Sequence, residues 1–165
     1  MSIFMQYQSI RGDARDANGH DKWIDIQEFH FQGIHRDITS ATGTRSDRES
    51  ANADLSEIEL IRYMDRASPE LFLKACCGKG NDMTLHLTNT TSTGSGADTY
   101  LQYILRNALI SRYAVLARCQ SRRHPAEKLR VSFIALEMRY VPYDDDGNML
   151  APIAVGYSKA TNTLI

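Results

Sequence analysis

The chain has 165 residues, 42% of them hydrophobic, with 19 basic and 20 acidic side chains and a net charge of −1. That balance excludes the electrostatic footprint of a nucleic-acid binder and of a protein held on an anionic membrane surface. A chain of this size suits one domain, residues 1–165, and buries roughly 70% of its unfolded surface, enough for a core without covalent staples.

Three cysteines, Cys76 and Cys77 side by side and Cys119 apart, do not make a disulfide framework. They read as reduced, buried or half-buried thiols of a protein folded in the cytosol. The opening run Met1-Ser2-Ile3-Phe4-Met5-Gln6-Tyr7 has no basic leader and no long apolar core, so no secretory signal peptide is expected. No run approaches the roughly 18 apolar residues that span a membrane, so no insertion is expected.

Ile3 to Ile10 reads as a first strand, ended by Arg11-Gly12-Asp13, and Ala14 to Asp21 as polar loop. Trp23 to Phe31 reads as a strand apolar on both faces, with Ile24 and Ile26 on one and Trp23, Phe29 and Phe31 on the other. Such strands are central or lie at an interface. Residues 37–54 hold Thr, Ser, Gly, Arg, Asp and Asn with almost no large apolar side chain, too little to fold alone. A loop of that length inside a domain is often functional.

Leu55 to Tyr63 resumes strand character, and Ser68 to Cys77 reads as the one good helix. Ser68 is the expected N-cap and Pro69 the first helical residue, where its missing N–H costs nothing. Glu70 complements the positive end of the dipole, Leu71, Phe72 and Ala75 form an apolar stripe, and Gly78 terminates. Asp65 and Arg66, just before it, read as a local structural pair.

Asp82 to Thr88 alternates cleanly, and Asn89 to Ala97 is a turn region. Tyr100 to Ala117 is a long period-two run, which implies one bent strand or two sharing a kink. Cys119 to Lys128 is a basic connection. Leu129 to Val141 switches parity between Phe133 and Ile134, as a bulge or a change of sheet requires. Asp144 to Asn148 is a turn, and Met149 to Tyr157 pairs back as a hairpin strand. The sum is seven or so strands and one helix: a mainly β fold, an antiparallel barrel of two packed sheets with a short flanking helix.

Chemistry is sparse. His20, His30, His35, His86 and His124 do not pair at metal-ligand spacing with each other, a cysteine or a carboxylate. Asp144-Asp145-Asp146-Gly147 lacks calcium-loop spacing. No phosphate-binding or dinucleotide glycine pattern occurs, and no nucleophile elbow. Cys76 lies at the C-terminal end of the helix, where the dipole disfavours a thiolate. No catalytic residue, metal or cofactor is expected, and the pattern favours packing and assembly over catalysis.

The segment Tyr63-Met64-Asp65-Arg66-Ala67-Ser68-Pro69, closing on Gly78-Lys79, resembles the signature of the Hcp family, the haemolysin-coregulated proteins of type VI secretion. Other stretches agree in order: Ile3 to Asp13 looks like the family's opening strand and turn, and Ile24 to Phe31 like its aromatic strand. Asn107 to Ser111 is similar to an internal strand, and Glu127 to Phe133, on to Tyr140, to the last long one. Phe29 and Phe31 stand where the family often has a second Trp, and the central loop is less Gly-rich.

The resemblance implies a non-enzymatic subunit of the secretion tube: homohexameric rings that stack, carry and stabilise effector proteins in the lumen, and meet a tip spike protein and a contractile sheath. It would assemble in the cytoplasm and be secreted without a signal peptide. It implies that His30 faces the lumen. The loop, with Thr39, Thr44, Arg45 and Arg48, would stack rings, staying mobile until it meets the next one. The rival readings are a small-molecule carrier barrel, which needs a wide dry interior, and a thiol-dependent enzyme using Cys76 or Cys77.

Overall fold

The computed structural model describes residues 1–16, 18–36, 52–90, 96–119 and 123–165. Within them run β1 (Ser2–Tyr7), β2 (Ile24–Ile26), β3 (Glu28–Phe31), β4 (Ile34–Arg36), β5 (Ala53–Leu55) and β6 (Ile58–Tyr63). The helix α1 (Ser68–Cys77) follows, then β7 (Asn81–Thr90), β8 (Ala97–Leu116), β9 (Ala126–Ser132), β10 (Ala135–Tyr140), β11 (Ile153–Ser158) and β12 (Thr163–Leu164).

Two antiparallel sheets share β8. One has the order β12-β11-β10-β8-β7-β1-β2, and the other runs β8-β9-β6-β3. The first half of β8 pairs with β7 and β10, the second half with β9. The changeover is built by Asn107, at a positive φ of 51°, and by a register slip between Ile110 and Arg112. Bulges and left-handed residues turn a strand in this way. The opposite corner is Gln27, whose N–H donates to Ile61 O at 2.8 Å and hands the chain from β1 to β6. Pairing therefore runs from β8 through β7, β1 and the β2–β3 bend to β6, β9 and back to β8, a closed barrel. β4 and β5 pair with each other in a small separate sheet.

These corners revise several expectations. Trp23 to Phe31 is not one two-faced strand: the bend at Gln27 reverses parity, so Ile24 and Ile26 before it and Phe29 and Phe31 after it all pack on the core. Of the two alternatives for Leu129 to Val141, the change of sheet is found, with β9 and β10 separated at Phe133 and Ile134. Ser56 and Glu57 divide Leu55 to Tyr63 into β5 and β6, and the first strand stops at Tyr7, before Gln8 at φ 56°. Divided runs account for most of the strands beyond seven.

Ile3, Met5, Ile24, Ile58, Leu60, Met83, Leu85, Leu105, Leu129 and Val131 form the barrel interior. Phe29 of one sheet stacks on Tyr103 of the other, with centroids 5.1 Å apart. Side chains of this size fill a small barrel.

The helix begins differently from the expected cap. Ala67 is the N-cap and offers no side-chain bond, while Ser68 is already helical. The Asp65 carboxylate takes the capping role by accepting from Ala67 N–H at 2.8 Å. The Ser68 hydroxyl turns back and accepts from Asp65 N–H at 3.0 Å. Leu71 is fully buried and Ala75 packs on the core, but Phe72 is exposed, so the stripe is narrower than expected. All three cysteines are exposed rather than buried, because Cys76 and Cys77 end the solvent side of α1 and Cys119 lies in the connection after β8.

Candidate assembly surface

β10, β11 and β12 extend the first sheet past β8, outside the barrel, as a wing. Register sets its side chains in rows. One row is Leu85, Tyr103, Met138 and Val155, and the next is Leu87, Leu101, Tyr140 and Ile153. Every member is apolar or aromatic. Exposure climbs along the first row from 0% at Leu85 to 36% at Met138 and 54% at Val155. It climbs along the second from 8% at Leu87 to 44% at Tyr140 and 61% at Ile153. One apolar sheet face thus runs unbroken from the core into solvent. A contiguous exposed apolar patch of this kind marks an interaction surface. Other exposed apolar side chains are Phe72 and Leu73 of α1, with Phe72 edge-on to Tyr113 at 5.6 Å, and Val115 and Leu116 at the end of β8.

The outer face of the second sheet has the opposite character. Alternation on β3, β6 and β9 sends Phe29, Leu60 and Leu129 inward and leaves Glu28, His30, Glu59, Lys128 and Arg130 outside. His30, Glu59 and Arg130 lie side by side in register. Lys128 Nζ reaches Glu59 Oε1 at 2.6 Å, Arg130 Nε reaches Oε2 at 3.2 Å, and His30 Nε2 lies 3.0 Å from Glu28 Oε2. The Lys128 bond above all, then Arg130, holds the Glu59 carboxyl below the usual carboxylate range. Exposed pairs add little stability. Their effect is to keep this face hydrated. His30 is on that face; Thr39, Thr44, Arg45 and Arg48 lie outside the described residues.

Two polar clusters, one buried and one partly buried, escaped the sequence. Under α1, Arg62 is fully buried and pairs with the equally buried Glu127 at 2.7 Å and with Asp65. Tyr113 Oη donates to the other Glu127 oxygen, and burial followed by that bond pushes its phenol well up. Asp65 therefore pairs with Arg62 rather than with Arg66, which instead meets Asp13 at 2.5 Å. On the far side of the first sheet, His20 sits between Asp16, at 2.5 Å, and His86, at 2.8 Å. Arg62 and Glu127 are 65 positions apart, and His20 and His86 are 66. Strand pairing brings Arg62 to Glu127, and the segment between β1 and β2 brings His20 over His86.

Among the described residues, no group of three His, Cys, Asp or Glu side chains is placed to hold a metal ion. Also among them, no helix is long and apolar enough to cross a membrane.

The family model described as "Type VI secretion system effector, Hcp" matches residues 4–140. No curated protein sequence matches the chain. Among solved structures, a type six secretion system protein superposes with a TM-score of 0.87 at 23% identity, covering 99% of each chain. Hcp1 from Salmonella typhimurium superposes at 0.76 with 22% identity over 99% of this chain and 98% of its own. A type VI secretion system effector from Yersinia pestis gives 0.63 at 22% identity, over 94% and 98%. At such identities these likenesses speak for the fold.

Proposed function

The chain belongs to the Hcp family of type VI secretion, and from that premise we propose that it is a structural subunit whose six copies close into a ring and whose rings stack into a secreted tube. The tube carries effector proteins in its lumen and works with a tip spike protein and a contractile sheath. The role is one of assembly, not catalysis.

The observation that supports this reading best is the apolar wing face. A ring closes only through a heterologous contact, in which one patch meets a different patch on the next copy. Met138, Tyr140, Ile153 and Val155 supply the first patch in this proposal, and the exposed Phe72 and Leu73 of α1 are assigned to the surface it meets. The charged outer face of the second sheet then lines the lumen, with His30 on it. A hydrated wall lets a folded cargo slide, whereas an apolar wall would hold it.

Electron microscopy of the purified protein tests the proposal. Six-membered rings with a central hole are expected. A field of compact single protomers at micromolar concentration would overturn it.

A further inference from the structure

A strap formed by residues 12–16 and 18–23 lies across the outer face of the first sheet. It doubles back on itself, with Gly12 N–H donating to Lys22 O at 2.9 Å, Lys22 N–H to Ala14 O at 2.8 Å and Ala14 N–H to Trp23 O at 3.1 Å. Gly12 is required there, because a Cβ would come within 2.3 Å of Trp23 O. The strap covers two side chains that the strand alternation turns away from the core, Phe4 of β1 and His86 of β7. His20, 3% exposed, stacks on Phe4 with centroids 4.5 Å apart, and His86 lies tilted against Trp23 at 4.7 Å. The polar line Asp16 Oδ2, His20 Nδ1, His20 Nε2, His86 Nδ1 ties strap to sheet. At its end, His86 Nε2 is buried with no hydrogen-bond partner.

We propose that this strap is an acid-released latch: it lies closed only while His86 is neutral, and protonation of that ring frees it from the sheet. A carboxylate only accepts, so His20 Nδ1 carries a hydrogen toward Asp16. If His20 is neutral, its Nε2 accepts from His86 Nδ1–H, and a further proton on His86 must sit on Nε2, where no acceptor waits. If His20 is an imidazolium, its Nε2–H needs a bare His86 Nδ1, and protonating His86 sets two N–H groups face to face at 2.8 Å. In neither state does every N–H of a charged His86 find an acceptor, and an unpaired donor at the buried Nε2 is costly.

The groups around His86 offer no relief. The strap contributes Asp16 behind His20, while Asp21 and Lys22 are exposed and pair with each other at 3.8 Å. Phe4 on β1 and Gln102 on β8, opposite His86 in register, do not titrate, and Asp25 on β2 lies beyond Phe4. Burial first, then the His20 ring, lowers His86 from 6.5 to about 4. In an open strap the ring regains its ordinary value, so the opening equilibrium grows roughly 50-fold between pH 7 and pH 4.5.

Trp23 is the chain's only tryptophan and touches both rings, so its fluorescence reports the latch directly. On acidification from pH 7 to 4.5, Trp23 emission is expected to change. Over the same range the amides of residues 13–16 and 18–23, corrected for intrinsic exchange, lose protection roughly 50-fold while those of β9 hold theirs. In His86→Phe, which keeps an aromatic ring without a titratable nitrogen, both signals stay flat. Unchanged strap protection in the native protein, or equal opening in His86→Phe, would overturn the proposal. A proton titration of the His86 ring in the native protein needs no variant: a midpoint near 4 supports the latch, and one near 6.5 with the strap still protected refutes it.

Discussion

In the barrel, the inward side chains of β1, β7 and β8 meet those of β6 and β9 across a filled interior. On the wing, the same face of the same sheet continues through Met138 and Val155 into solvent. The local pattern does not distinguish them, since Met83, Leu85 and Leu87 alternate on β7 as Leu136, Met138 and Tyr140 do on β10. The difference arises because the second sheet turns away at Asn107 and covers only part of the first. Barrel residues therefore hold the protomer together, and wing residues stay exposed, where the proposed ring contact falls. Changes in the two regions should separate folding from assembly.

The largest effect on folding is expected under α1. Arg62→Ala leaves the Glu127 carboxylate buried without its cation and should cost about 3–5 kcal/mol, read by urea unfolding. Replacing both with apolar residues of similar volume should recover much of that loss. A double variant as unstable as the single would show that the pair does more than compensate its own burial.

A smaller loss is expected from acid. Folded His86 titrates near 4 and the unfolded ring near 6.5, so between these values the unfolded state binds more protons. Stability is complete above about pH 6.5 and falls as pH drops toward 4, by roughly 2 kcal/mol between pH 7 and 4.5. His86→Phe should flatten that part of the curve. The contrast with the wing is again one of cover: the strap encloses Phe4 and His86 on the outer face of the barrel sheet, and nothing comparable in the described residues shields Ile153 or Val155.

Ser68→Ala removes the acceptor for Asp65 N–H at the head of α1 and should cost about 1 kcal/mol by thermal unfolding. Smallest of all for folding, Val155→Arg should change protomer stability by no more than about 0.5 kcal/mol, because the site is already open to water.

The parity switch between Phe133 and Ile134 was legible in the sequence as a bulge or a change of sheet, and the length of Tyr100 to Ala117 as one bent strand or two sharing a kink. Both are local statements that alternation can carry. The helix was legible from Pro69 and Gly78, but its cap was not. Asp65 accepts from Ala67 N–H and Ser68 from Asp65 N–H, a reciprocal arrangement set against the buried Arg62 that local spacing does not show. The Arg62–Glu127 and His20–His86 contacts join residues far apart in the chain, so no spacing rule reaches them. The wing looked like one more hairpin, because exposure of its apolar face depends on where the second sheet stops.

Sedimentation of the paired substitution Met138→Arg and Val155→Arg beside the native protein, with far-ultraviolet circular dichroism to check the fold, tests the ring interface most directly. The native protein should sediment as a hexamer and the variant as a folded single protomer. A folded variant that still runs as a hexamer would contradict the assignment of the wing as the surface through which the ring closes.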